Sequence, residues 1–237
     1  MRIAVTGATG GIGRELCAEL MRRGHDVWGI SRSAGNDEGM RVSRVDMADP
    51  ASLLAWKEEM HAQDWLPDAI VLLAALQEED MTPNGYDAAA ANRMLRVNVE
   101  APLACVELFL PDFTARGRGR FVAICSTAAL RPSRRSAAYG ASKAALAMAF
   151  RSLRLRYATH GLTFGNVFLG PVDAGMWEGK HHPLVPSAKR AASALATFAC
   201  GKGDSLYFPR LSTVLLRLSL WLPDRAFAAA SRLLLHP

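Results

Sequence analysis

The sequence predicts a doubly wound parallel α/β sheet in a single domain, and three observations predict it. Strand-like and helix-like patterns alternate along most of the chain, as they do where crossover helices join parallel strands. Residues 68–75 contain an unbroken apolar run, the composition of a strand buried on both faces. A glycine-rich turn joins the first strand to the first helix.

The elements follow in order. Residues 2–6 are a short apolar strand. Ile12, Leu16 and Leu20 recur at helical spacing, so 12–23 reads as a helix that Gly24 stops. Residues 26–30 and 41–45 are strands, and Asp49-Pro50 opens a helix to about residue 61. The fourth strand is 68–75, followed by a long helical stretch over 88–115. A strand over 119–126, a helix over 138–160, a strand over 162–169, a helix over 187–200 and a last strand over 205–208 complete the series. No repeat or low-complexity tract interrupts it, and the nearest thing to a boundary is 202–204.

Composition agrees with this reading. At roughly 150 residues per domain, 237 residues make one large domain or two small ones, and 50% hydrophobic content is enough for a sizeable core. The net charge is +6, with 23 Arg among 28 basic residues. These are scattered and lack aromatic interleaving, so nucleic acid is not an expected partner. Cys17, Cys105, Cys125 and Cys200 lie far apart in apolar contexts without a CxxC. Neither a disulfide framework nor a metal site is expected. Residues 1–11 read as a strand entering a turn rather than a targeting peptide, which points to the cytoplasm. No run of 18 apolar residues exists.

The turn Thr6-Gly-Ala-Thr-Gly-Gly-Ile-Gly13 has the chemistry of a phosphate cradle. Glycines let the backbone approach a pyrophosphate, and the helix after them offers free amides and a positive dipole end. Its spacing fits both GxxxGxG (Gly7, Gly11, Gly13) and GxxGxxG (Gly7, Gly10, Gly13). The second strand ends Gly29-Ile-Ser-Arg-Ser33, with no acid to hold ribose hydroxyls. Arg32, with Ser31 and Ser33, suits a 2′-phosphate, so NADP(H) is expected over NAD(H).

Tyr139-Gly-Ala-Ser-Lys143 places a phenol and an amine on one helical face. The helix starts just before Tyr139, so its dipole and the Lys143 ammonium are expected to lower the phenol pKa. Such a phenol exchanges a proton with a carbonyl or alcohol oxygen. Taken singly, Tyr139 also reads as a half-buried helix residue.

Together with two further residues, this pattern resembles the short-chain dehydrogenases/reductases in their short, single-domain form, over residues 1 to about 208. Ser126 ends a strand thirteen residues before Tyr139, and Asn98 lies in Arg-Val-Asn-Val-Glu on the preceding helix. The resemblance implies a Rossmann-type fold and favours the GxxxGxG spacing. It implies that Ser126 orients the substrate carbonyl and Tyr139 is the general acid. Lys143 then binds the nicotinamide ribose and tunes Tyr139, and Asn98 holds a relay water. It further implies a dinucleotide site drawn from Gly7, Thr9, Gly11, Ile12, Gly13, Ser31, Arg32, Asp46, Met47, Ala74 and Val172, with Tyr139 and Lys143. A homodimer or homotetramer built on the 88–115 and 138–160 helices is implied as well.

The chain departs from the family in two places. The fourth strand ends Leu72-Leu-Ala-Ala75 instead of Asn-Asn-Ala-Gly, which removes hydrogen bonds that steady the sheet. Ala174 stands where the family has a Thr that bonds the carboxamide. These departures keep open a dinucleotide-binding regulator or scaffold without turnover. The other glycine spacing keeps open a nucleotide-sugar epimerase-like enzyme.

Arg131, Arg134 and Arg135 are expected at the site rim, either steering an anionic or carrier-bound carbonyl substrate or standing as solvated loop charges. A lid is expected over about 174–200, with Met176 and Trp177 against an apolar pocket. His181 and His182 are adjacent, a poor spacing for metal ligands. In the tail, 209–237, residues 211–222 read as a helix apolar nearly all round, which is ordinarily buried. A second helix is expected over 224–235, with Phe227 and Leu234 on its apolar side. Packing within the protomer or lid is the leading expectation for the tail, ahead of an oligomer contact or a membrane interface.

Overall fold

The computed structural model describes residues 1–32, 39–83, 85–133, 136–174, 185–227 and 229. Its elements are β1 (Arg2–Thr6), α1 (Gly11–Arg22), β2 (Asp26–Ser31), β3 (Arg41–Arg44), α2 (Pro50–Ala62), β4 (Ala69–Leu72), β5 (Met81–Thr82), β6 (Gly85–Tyr86), α3 (Ala88–Leu95), α4 (Ala101–Arg116), β7 (Gly119–Ser126), α5 (Ala137–Tyr157), β8 (Leu162–Leu169), α6 (Ala188–Cys200), β9 (Ser205–Phe208) and α7 (Arg210–Ser219). The strands β3-β2-β1-β4-β7-β8-β9 form one parallel sheet, as the alternation predicts. The small hairpin β5-β6 has no signal in the sequence.

Alternate side chains of each strand enter two cores. Ile3 and Val5 of β1 join Leu16 and Leu20 of α1 and Leu195 of α6 on one face. Ala4, Trp28 and Ile30 face the other side, with Trp56, Phe109 and Phe150 from α2, α4 and α5. Both faces are apolar because both are covered, which is why β4 has all four residues buried. Phe121 and Phe164 of adjacent strands stack at 5.3 Å, with Phe113 and Phe150 against them at 4.8 and 5.8 Å. Such contacts add specificity to the burial itself.

Three predicted elements change. Strand 68–75 is ordered as a strand only over Ala69–Leu72, because the chain then leaves the sheet to form the cleft wall. The stretch 88–115 is two helices, α3 and α4, joined by a π-turn over Arg96–Glu100. Pro102 has no amide hydrogen to give the carbonyl of Asn98 four residues back, and the widened turn accommodates that loss. The expected lid over 174–200 does not extend to residue 200. Ala191, Leu195 and Ala199 of α6 are buried in the core beside α1, and 175–184 lie outside the described residues.

The chain reverses direction across the sheet between β1 and β4, so loops diverge at their carboxyl ends and open a crevice there. The turn after β1 is tight. Gly7 has φ +72°, and a Cβ on Gly13 would lie 2.1 Å from the Gly7 carbonyl oxygen. Gly13→Ala is therefore expected to lose about 1–3 kcal/mol of stability, which urea unfolding against wild type would measure.

Candidate active site

A cleft of about 1260 Å³ runs along the carboxyl ends of the strands. At one end the backbone of Gly7, Gly11 and Gly13 lines it, with Thr9 and Ile12. No side chain caps the α1 N-terminus, and its first turn holds no acid. The cradle that a Cβ would fill and these amide donors fit a dinucleotide phosphate. Ser31 and Arg32 line the adjoining wall, and Thr9 Oγ1 lies 2.5 Å from Ser31 Oγ. Asp46, Met47, Ala74 and Val172 line the cleft as well. Asp46 Oδ1 accepts from the amide of Ala48 at 3.0 Å, fixing the carboxylate's orientation. Ser33 lies outside the described residues.

Ser126, Tyr139 and Lys143 stand together farther along the cleft. Ser126 ends β7, and Tyr139 and Lys143 occupy the first two turns of α5. Ser126 and Tyr139 share a side-chain hydrogen bond. The Lys143 ammonium is buried and donates to the Ile124 carbonyl at 2.9 Å. Its nitrogen lies 6.0 Å from the centre of the Tyr139 ring.

The pKa order differs from the one expected. Burial pushes the Tyr139 phenol above its ordinary value, despite the lowering bond with Ser126. Burial likewise pulls Lys143 down to about 8. In the protein alone, desolvation is the largest cause for both groups, because burial disfavours the charged form of each.

Asn98 does not line the cleft but sits behind it, fully buried in the π-turn. Its Nδ2 donates to the Leu76 carbonyl at 2.8 Å and to Ser142 Oγ at 3.1 Å. Its Oδ1 accepts from the Leu76 amide at 2.8 Å. Ser142 donates in turn to the Tyr139 carbonyl at 2.7 Å. The side chain thus ties the segment after β4 to the helix that carries Tyr139.

Sequence reasoning missed Asp80. Its buried carboxylate accepts from the amides of Ala137 and Ala138 at 2.8 and 2.7 Å, and Ser136 Oγ accepts from the Tyr139 amide at 3.0 Å. Burial raises the Asp80 pKa, but these donors outweigh it and hold the carboxyl below its ordinary value. No periodicity marks this residue, since its partners lie 57 and 58 positions away. Thr6 was missed too. Its Oγ1 accepts from the amides of Leu73 and Ala74, both at 2.9 Å, so a hydroxyl on β1 steadies the end of β4 where the family's Asn residues are missing.

Arg131 is not free at the rim. Its guanidinium donates to Asp224 Oδ1 at 2.7 Å and the Leu222 carbonyl at 3.0 Å, and lies 4.6 Å from the Phe227 ring centre. It fastens the tail, which brings Leu216 and Phe227 to the cleft. Arg134, Arg135, Met176, Trp177, His181 and His182 lie outside the described residues. Among the described residues no group of three or more His, Cys, Asp or Glu side chains could hold a metal ion.

The model of the short chain dehydrogenase family matches residues 1–184, and the chain belongs to that family. An uncharacterized oxidoreductase of Myxococcus xanthus is 28% identical, covering 96% of this chain and 95% of that protein. The cis-4-hydroxycyclohexanecarboxylate dehydrogenase of Sinomonas cyclohexanicum is 28% identical over 81% of this chain and 80% of its own. The human inactive hydroxysteroid dehydrogenase-like protein 1 is 28% identical over 86% of this chain and 67% of its own. A short chain dehydrogenase from Burkholderia cenocepacia, solved with NADP, shares the fold at a TM-score of 0.79 and 24% identity, covering 97% of this chain and 96% of that one. A 4-hydroxyisoleucine dehydrogenase solved with NADH has a TM-score of 0.77 at 16% identity over 87% of this chain and 96% of that one.

Two outcomes test the site's physics. Asp80→Ala leaves two amides of α5 without their acceptor and is expected to cost about 1–2 kcal/mol, read as a lower urea midpoint. Burial holds the folded Lys143 amine near 8, below its ordinary value of 10.5. At this site the unfolded chain therefore binds more protons between those values, and the contribution of Lys143 to stability rises with pH through that window. Between pH 7.5 and 9 that contribution, read as the stability difference between wild type and Lys143→Met, is expected to rise by about 1 kcal/mol, while the Cys105 and Cys125 thiols, pushed up to about 12, act in the opposite sense in both proteins.

Proposed function

We propose that the protein reduces a small carbonyl compound to a secondary alcohol, with NADPH as its dinucleotide. What supports this reading is the meeting of Ser126, Tyr139 and buried Lys143 in the cleft that the Gly7–Gly13 turn also lines. Gly7, Thr9, Gly11, Ile12 and Gly13 would hold the pyrophosphate end. Asp46 and Met47 would meet the adenine, and Ala74 and Val172 the remaining walls. Ser31 and Arg32 would hold the 2′-phosphate, with no acid at the end of β2 to repel it. When bound, NADPH supplies the hydride that goes to the carbonyl carbon. Tyr139 gives its hydroxyl proton to the carbonyl oxygen, and a raised phenol pKa keeps that proton in place until charge builds there. Ser126 donates a hydrogen bond to the same oxygen. Lys143 holds the nicotinamide ribose and restores positive charge beside the phenol, and Asn98 positions the relay behind it.

The same reading takes the protein as cytoplasmic, supported by its free cysteines. It also takes it as a homodimer or homotetramer through α4 and α5, supported by exposed Met148 and Leu155 on α5. Among the described residues no helix is long and apolar enough to cross a membrane.

A second reading, a dinucleotide-binding protein without turnover, is favoured by Ala174, which gives the cleft wall only a methyl group. Fluorescence titration with NADPH and NADH separates the questions. Arg32→Glu is expected to weaken NADPH binding at least tenfold, about 1.4 kcal/mol, with NADH little changed. Tyr139→Phe is expected to bind NADPH as wild type does and to lose turnover of a ketone panel. NADPH binding with no turnover of any carbonyl by wild type would favour the second reading.

A further inference from the structure

Helix α7 is inside out for a helix facing water. Its inward positions are small or polar: Thr213 is fully buried, and Ser212 and Ser219 are half-buried beside Leu216. Its outward face is large and apolar. Leu211, Val214, Leu215 and Leu218, at helical positions i, i+3, i+4 and i+7, are 64%, 49%, 58% and 61% exposed. The turn that follows adds Trp221 at 90% exposure and Leu222 at 46%. The sequence reading expected this segment to be buried all round. Instead its inner stripe is satisfied by hydroxyl groups, as where Thr213 Oγ1 donates to the Pro209 carbonyl, and the leucines are left outside. A contiguous patch of this kind marks an interaction surface.

Charge complementarity identifies the partner. Residues 209–237 carry four arginines against one acid, Asp224, in a chain of net charge +6. Arg210, Arg217 and Arg225 are exposed, with the Arg217 guanidinium 4.6 Å from the Tyr207 ring centre. The one acid is held by Arg131, so it does not offset them. Leucine and tryptophan on one side, flanked by arginine, is the composition of a helix lying in the headgroup region of an anionic bilayer. A protein partner would need acidic groups around an apolar groove, whereas an anionic lipid surface meets both demands without a matching shape.

We propose that the outward face of α7 and the Trp221 turn dock the protein on an anionic phospholipid surface. Through Leu216 and Phe227 the same segment lines the cleft, so docking would bring the cleft mouth to the lipid. The proposal concerns binding alone and does not depend on the catalytic reading.

The test is co-sedimentation of the full chain with vesicles of phosphatidylcholine and phosphatidylglycerol. Wild type is expected to bind them, and to bind at least tenfold more weakly to phosphatidylcholine alone or in high salt. Leu215→Glu/Leu218→Glu, with an unchanged circular dichroism spectrum, is expected to lose at least tenfold in partitioning. Should that variant fail to fold, brominated acyl chains serve instead: they should quench wild-type tryptophan fluorescence more than that of Trp221→Phe. The proposal is overturned by absence of vesicle binding, by equal binding of the folded variant, or by equal quenching in the two proteins. It is also overturned if the wild type self-associates through this face, with the double variant monomeric and neither bound to lipid.

Discussion

A parallel sheet whose strands are apolar on both faces must be covered on both faces, and the rest of this molecule follows from that constraint. Main-chain crossovers have to return each strand to the same end, which places α1 and α6 on one side and α2, α4 and α5 on the other. All loops that leave the carboxyl ends then meet at one edge. Because the order reverses between β1 and β4, those loops part there rather than pack, and the cleft is the space they leave.

Within that frame the chemistry of the cleft is a matter of desolvation. Lys143 reaches the sheet end because α5 packs tightly on β7 and β8, and the same packing strips water from its amine and from the Tyr139 phenol. The same desolvation moves the two groups apart, the amine down to about 8 and the phenol above its ordinary value, because it disfavours the charged form of each. The positioning network behind them is polar and closed. Asp80 and Ser136 hold the start of α5, while Asn98 and Ser142 hold its second turn to the π-turn and to Leu76. Buried polar groups tolerate this because each finds partners.

The tail shows a different balance. Its inner stripe is satisfied by hydroxyl and carbonyl groups and by the Arg131 clamp, and Leu211, Leu215 and Leu218 stay outside the packing of the protomer. One segment therefore shapes the cleft mouth and presents an apolar surface outward. Composition alone does not say which side of α7 is covered, and the fold leaves its leucine face outside the protomer.

The sequence by itself determined the strand–helix alternation of the main sheet, its parallel character and the family, because periodicity, the Gly7–Gly13 turn and the Tyr139–Lys143 spacing are local patterns. The β5-β6 hairpin and the break between α3 and α4 were not legible. Ser126 and Asn98 were legible only through their resemblance to family positions, and the place of Asn98 behind the cleft was not. Asp80, Thr6 and the clamp of Arg131 on Asp224 were decided by tertiary structure. Each joins residues 57 or more positions apart, and no local pattern encodes a partner at that distance. The same holds for the pKa order of Tyr139 and Lys143 and for the outward face of α7. Composition gives a side chain's charge and hydrophobicity, whereas burial, which only the packed fold sets, decides how that charge behaves and which face meets water.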